Sequence, residues 1–486
     1  MEAARALWVA SSLPPNALSR LSLSSATVAN TAINSSFKLG YAAQTAIGLA
    51  GLSAAHLYFL RTGVEQGVSV DARHAVLEFH SEAFYTLEGT APKTLWDSIA
   101  GLYKTRDGGY VRIHTNFPHH RRGILSLLDL PDSPATTRAD VQSALLRHDA
   151  VSFENAAADA GMCATALRSY ATWKDHPQAK ALEGVLPVEI IKIGDAPKRA
   201  LTSGEMPLDK IRVLDLSRVL AGPVAGRTLA AHGADVLLIT SPHLPALPDV
   251  DIETSRGKRT TQLDLTNTAD NATLHTLASE ADVFLQAYRP GGLADKGFSP
   301  TELTKLRPGI ICVNLTAWGW EGTWKSRRGF DSLVQTATGF NHSEAQAFAE
   351  FTDAPTSDLT PRPLPMQALD HAAGYLLAFG INAALCKTIT EGGSYEVRVS
   401  LAAVGQWIRS LGRLSPHEAF GDAVKPFPAR GVPLAAEIEN VSSVWQSKEG
   451  RQMTALRHAA ILEKTPVREG HAPMRLDADR PEWLLQ

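Results

Sequence analysis

Beyond residue 207 the apolar positions settle into a regular alternation. Short, nearly unbroken apolar runs predict strands over Ile211–Leu216, Asp235–Thr240, Thr261–Leu265, Val283–Tyr288 and Ile310–Thr316. Between them, helical periodicity predicts helices from Pro223, over Asn271–Glu280 and over Ser299–Leu306. Strands covered on both faces read as continuous apolar runs, and βαβα alternation calls for a parallel sheet. Residues 208–412 are therefore expected to form a large α/β domain with a doubly wound, Rossmann-like sheet of about six strands. Ser299-Pro300-Thr301-Glu302 marks a helix start, with Ser299 as N-cap and Pro300 at the first helical position.

Upstream the rhythm differs. Gly101–His114 alternates as two strands around an Asp107-Gly108 turn, and helix-like runs follow at 121–130, 141–147 and 152–160. Residues 98–200 thus predict a smaller α+β domain, followed by a polar, Pro-bounded linker. Residues 1–36 read as a peripheral leader. Residues 413–486 read as a polar, Pro-rich closing tail with one weak strand at Ala455–Ile461, wrapping back over the body.

One pattern occurs twice. An apolar helix over Tyr41–Leu60, a Thr62-Gly63 stop, a strand at Val68–Val70 and a helix from Arg73 reappear as a helix from Asp370, a Gly392-Gly393 break, a strand at Tyr395–Val399 and a helix from Ala402. An offset of 329 residues sets Gly51 on Gly380, Val68 on Val397 and Tyr41 on Asp370. Residues 1–97 accordingly hold a degenerate copy of a module whose second copy keeps the acid. That acid, Asp370, sits in the first turn of a helix that is small and apolar nearly all round. Burial makes such a charge costly unless it is paired, neutralised or used, but Asp is also a common helix N-cap, so both readings stand.

The net charge of −3 and a pI near 6.6 provide no field for a nucleic-acid backbone. Cys163, Cys312 and Cys386 have apolar neighbours and no ligand spacing, which points away from disulfides and metal and toward a reducing, cytoplasmic setting. Met1–Leu23 lacks a signal-peptide pattern, and no apolar run is expected to span a membrane.

Five segments in succession carry a family likeness: Ile211-Arg-Val-Leu-Asp-Leu-Ser-Arg-Val-Leu-Ala-Gly-Pro223, Arg256-Gly-Lys-Arg259, Tyr288-Arg-Pro-Gly291, Arg328-Gly-Phe-Asp-Ser-Leu-Val-Gln335 and the Asp370 helix. In order and approximate spacing the chain resembles family III CoA-transferases, the group of formyl-CoA and carnitine CoA-transferases. The resemblance implies Asp370 as catalytic nucleophile, an acyl-CoA and a carboxylate acceptor as substrates, no permanently bound cofactor, no metal and an interlocked homodimer. Coenzyme A needs cations and a close turn for its phosphates; Arg256, Lys258, Arg259, Arg289, Gly222 and Pro223 are the expected suppliers. The order of parts is rearranged, so the small domain serving Asp370 must come from earlier in this chain or from a partner.

Two other functions compete. The 2-methylacyl-CoA racemases of the same superfamily use a His in the Gly-His-Asp segment, but here that segment is Gly329-Phe330-Asp331, and Phe cannot accept a proton. A non-catalytic CoA-binding protein is the other, since the first copy has Tyr41 in place of an acid. Neither a G-x-G-x-x-G turn nor a P-loop is present, which disfavours a nicotinamide or nucleotide enzyme.

Overall fold

The alternating apolar runs pair as one sheet in the computed structural model, which describes every residue except 94–95, 203, 356–358, 448, 469 and 485–486. Its strands are β1 (Glu189–Gly194), β2 (Arg212–Leu216), β3 (Asp235–Thr240), β4 (Arg259–Gln262), β5 (Val283–Gln286), β6 (Ile311–Thr316) and β7 (Ser394–Ser400). They lie in the order β4-β3-β2-β5-β6-β7-β1. The pairings from β4 through β7 are parallel, and β1 closes the edge antiparallel to β7. The six parallel strands match the expected doubly wound α/β sheet. β1 was hidden in the sequence because an edge strand buries little, and its positions are all half-buried or exposed. Strand order reverses between β2 and β5, so a crevice opens above their C-terminal ends.

Helix Ala368–Thr390 lies against β7 with its first turn at this C-terminal edge. By length and composition it could cross a membrane, contrary to the expectation that no run would, but it is buried inside the protein. Much of its covering is the helix that shares its sequence pattern. Helix Leu39–Thr62 packs along it and begins 329 residues earlier. The likeness extends to detail. A Cβ on Gly380 would lie 2.6 Å from Val397 Cγ1, and one on Gly51 would lie 3.1 Å from Val68 Cγ1, so each helix lacks a side chain where its own following strand crosses. Asp71 and Ser400 cap the two next helices in the same way.

The repeat also has its own strands. Leu21–Leu23 pairs parallel with Val68–Val70, and Ala460–Leu462 pairs antiparallel on the other side, reproducing the β6-β7-β1 arrangement. The first 36 residues are therefore part of the body rather than a peripheral leader: Trp8 is fully buried and stacks near Phe379. The amphipathic helix Glu2–Ala10 that carries Trp8 covers the duplicated helix pair.

The segment after the first copy contains the expected hairpin, Gly101–Lys104 with Tyr110–Ile113, joined by Ala164–Ala166 as a third strand. A second hairpin, Ser442–Gln446 with Gln452–Leu456, replaces the single weak strand expected in the tail, because Arg457 breaks the run before Ala460. Both hairpins turn alike: Thr105 N–H donates to Gly109 O at 3.0 Å and Ser447 N–H to Arg451 O at 2.9 Å. The tail does wrap back, with Met453 and Thr454 pairing with Leu87 and Thr86.

Candidate active site

Capping of the Asp370 helix is performed by a different residue. Asp331 Oδ2 accepts the N–H groups of Leu369 at 2.8 Å and Asp370 at 3.0 Å, and Gln335 donates to its other oxygen. The Asp370 carboxylate is left over. It is 8% exposed, and no described residue donates a hydrogen bond to it. Burial, followed by the nearby Asp331 and Glu82 charges, pushes its pKa well above the usual carboxylate range. Burial also raises Asp331, while its amide donors hold it down. The pair thus resembles two carboxylates sharing a proton, with Asp331 favoured as the charged member. His371 turns to Glu82, 2.9 Å away, and stacks on Phe79, so it cannot serve Asp370.

Asp370 lies on a cleft of about 140 Å³ with two walls. One is built from Val219, Phe330 and Asp331 of the large domain. The other comes from Trp96, Arg112, His114 and Asn116, on and around the first hairpin. The small domain that serves Asp370 is thus supplied from earlier in the same chain. His114 stacks face to face on Phe330, with centroids 3.8 Å apart and 2° between planes. Val219, in the loop after β2, has φ 73°, a costly backbone state for a β-branched residue and one that collects at functional sites.

The expected phosphate ligands separate into two groups. Lys258 is fully buried, 2.7 Å from Asp215 Oδ2 and 2.9 Å from Pro223 O. Gly226 makes room for that pair, since a Cβ there would meet Asp215 at 2.2 Å. Arg256 binds Glu253 at 2.6 Å and lies over the Trp445 ring, and Arg259 binds Asp235 at 2.9 Å. These three cations are committed to carboxylates within the protein. Arg289 is exposed in the loop after β5 and, with Arg218 and Arg328, has no carboxylate at ion-pair distance among the described residues. Burial and the charge of Arg289 pull Arg328 below its ordinary pKa. Gly222 and Pro223 begin helix Ala221–Ala231, and a Cβ on Gly222 would come 2.3 Å from Ser217 Cβ, so the close turn requires glycine.

The sequence profile of CoA-transferase family III matches residues 208–422. This segment belongs to CoA-transferase family III. The chain is 33% identical over 238 residues to Rv3272 of Mycobacterium tuberculosis, named as a fatty acyl-CoA transferase, covering 46% of this chain and 58% of that one. It is 27% identical over 397 residues to an acyl-CoA transferase of Gibberella moniliformis, covering 74% and 68%. It is 31% identical over 216 residues to succinate–glutarate CoA-transferase of Agrobacterium fabrum, covering 41% and 52%. A crystal structure of Rv3272 aligns at 32% identity over 43% of this chain and 59% of that chain, with a TM-score of 0.36. The chain spans between about half and two thirds of the length of these curated relatives.

Within the family III segment, Ser217, Arg218, Pro223 and Tyr288 line a groove over the ends of β2 and β5, where the sheet's strand order reverses. Trp318, in the loop after β6, packs edge-on against Trp324 with centroids 4.8 Å apart. The residues His119-His120-Arg121 lie at the start of helix Pro118–Leu127. His120 is buried beside Cys163 and Arg121 pairs with Asp97. Sequence reasoning quoted Arg112, His114, Arg218 and Asp331 without assigning them roles. Alternation could have grouped two of them, because Val111 and Ile113 face the small core and place Arg112 and His114 on the opposite side.

Proposed function

We propose that this protein moves CoA from an acyl-CoA thioester to a carboxylic acid through acyl intermediates on Asp370. The observation that carries this reading is a buried carboxylate, freed from capping by Asp331, at the meeting of two walls of a small cleft. An Asp370 oxygen attacks the thioester carbonyl, the C–S bond breaks, and CoA leaves as the thiolate. The thiolate attacks the aspartyl carbonyl of the mixed anhydride, releasing the donor acid and leaving an aspartyl-CoA thioester. The acceptor carboxylate attacks that thioester, expelling the thiolate, which then takes the acceptor's acyl group and restores Asp370. Both intermediates are open to hydrolysis, and burial limits the approach of water.

The racemase alternative needs a base. Phe330 offers none, His371 is held by Glu82, and the Nε2 lone pair of His114 is occupied by Asn116. Incubation with acyl-CoA, proteolysis and mass spectrometry are expected to show an acyl or CoA adduct on the Asp370 peptide. Deuterium exchange at the α-carbon without any adduct would favour the racemase instead.

The CoA phosphates are proposed to lie along Arg218, Arg289 and Arg328 over the turn at Gly222 and Pro223, while Arg256, Lys258 and Arg259 support that surface from below. Neutralising Arg218, Arg289 or Arg328 singly is expected to raise the CoA Kd by about tenfold, read by calorimetry, as for loss of a charge-assisted bond. The buried free thiols suit the proposed cytoplasmic setting. The homodimer remains a separate proposal, since this chain's own hairpin reaches Asp370. Sedimentation at assay concentration tests it: a dimer boundary is expected, and a fully active monomer would refute it.

A further inference from the structure

Two residues that line the Asp370 cleft each carry a buried hydrogen-bond donor with no partner among the described residues. Asn116 Oδ1 accepts the N–H of Asp97 at 2.8 Å, which turns the amide nitrogen of Asn116 toward His114 Nε2, 3.1 Å away. Nε2 is therefore the accepting nitrogen, and the ring hydrogen sits on Nδ1. Nδ1 of His114 is buried and unpartnered, and so is Nε of Arg112, two residues back on the same strand. Buried donors are almost always bonded, so a pair left open beside a reactive carboxylate calls for an oxygen from outside the protein.

The tail hairpin, which turns in the same way, lacks both donors. Superposing the two hairpin turns, an offset of 342 residues, places Thr454 at the position of Arg112 and Leu456 at that of His114. In chain order the hairpin with Thr454 and Leu456 follows the copy that keeps Asp370, whereas the hairpin that lines the Asp370 cleft, with Arg112 and His114, follows the copy with Tyr41.

We propose that His114 Nδ1–H and Arg112 Nε–H hold the acyl oxygen of the bound substrate opposite Asp370 and stabilise the oxyanion formed on attack. This rests on the reading of Asp370 as nucleophile. When the aspartyl oxygen bonds to the thioester carbon, the carbonyl π pair moves onto oxygen. It returns as the C–S bond breaks, so the donors receive charge but transfer no proton. Burial, with the neighbouring His120 and Arg112 charges, pushes the His114 imidazole down to about 3, which keeps it neutral throughout. Stacking on Phe330 fixes the ring plane, and the Asp97–Asn116 link fixes the tautomer.

His114→Phe retains the ring stack and removes the donor. Its transfer kcat is expected to fall about 100-fold, as for loss of one oxyanion donor, with KM for acetyl-CoA nearly unchanged. His114→Gln, which keeps an N–H, should recover part of the rate, and Arg112→Met should behave like His114→Phe. The second measurement does not depend on turnover: ¹⁵N NMR of histidine should show an Nδ1–H tautomer whose signal moves on titration with acetate or acetyl-CoA and is absent in His114→Phe. A folded His114→Phe with undiminished kcat, or a His114 signal unmoved by both probes, overturns the inference. If that signal moves while Asp370→Asn retains full transfer, the donors stand and the nucleophile reading fails.

Discussion

Asp370→Asn is expected to lower CoA transfer by at least ~1000-fold, about 4 kcal/mol of transition-state stabilisation, without lowering the melting temperature. Asparagine keeps the shape but cannot form the anhydride. Because Asp331 caps the helix, the substitution removes no cap. Stability should change with pH in a defined direction. The folded carboxyl holds its proton above the unfolded value of 3.8, so across that window the folded state binds more protons than the unfolded one. Stability therefore falls as pH rises from 3.8 through the raised folded pKa, and Asp370→Asn should remove that part of the slope. Activity should run the other way. Attack needs the carboxylate, so kcat/KM should climb with pH along a limb displaced above the ordinary carboxylate range. Intact transfer in Asp370→Asn would end the covalent mechanism, and a large drop in its melting temperature would show that the residue is structural. Transfer assays with a panel of acyl-CoAs and thermal melts between pH 4 and about 8 make the comparison.

Lys258→Met is expected to destabilise the protein by about 3–5 kcal/mol, because it leaves Asp215 buried and charged without its partner. Arg289→Ala, at the exposed loop after β5, should weaken CoA binding and leave stability within about 0.5 kcal/mol. The two cations were indistinguishable in the sequence, so this contrast tests the division into supporting and ligand-facing charges. Combining Lys258→Met with Asp215→Asn should recover much of the loss, since the uncompensated charge is removed. Urea denaturation with calorimetry of CoA binding reads both quantities. Were Lys258→Met stable and defective only in CoA binding, the ion pair would not be its role.

Local and periodic features of this protein were legible in one dimension. The six parallel strands followed from continuous apolar runs, the Ser299 N-cap from its residue types, and the Asp107-Gly108 hairpin from its turn. The repeat was legible for the same reason. Helix, stop, strand and cap recur at fixed spacing, and the glycines at 51 and 380 do correspond in packing. Asp370 stood out because a charge in an apolar helix is expensive wherever that helix lies.

What the sequence left open depended on partners distant along the chain. Whether Asp370 caps its own helix depends on Asp331, 39 residues away, which takes the helix amides instead. Arg256, Lys258, Arg259 and Arg289 share a composition, and only folding put Asp215, Asp235 and Glu253 against three of them. The leader read as peripheral, and the tail's strands stayed hidden, because three-residue strands carry almost no periodicity. They join the body only because Val68–Val70 has two unpaired edges to fill. The cleft itself needs a hairpin more than 200 residues before Asp370. Periodicity and residue type determine which elements form and which residues can do chemistry; side-chain protonation, pairing and role are set by neighbours that only the tertiary fold supplies.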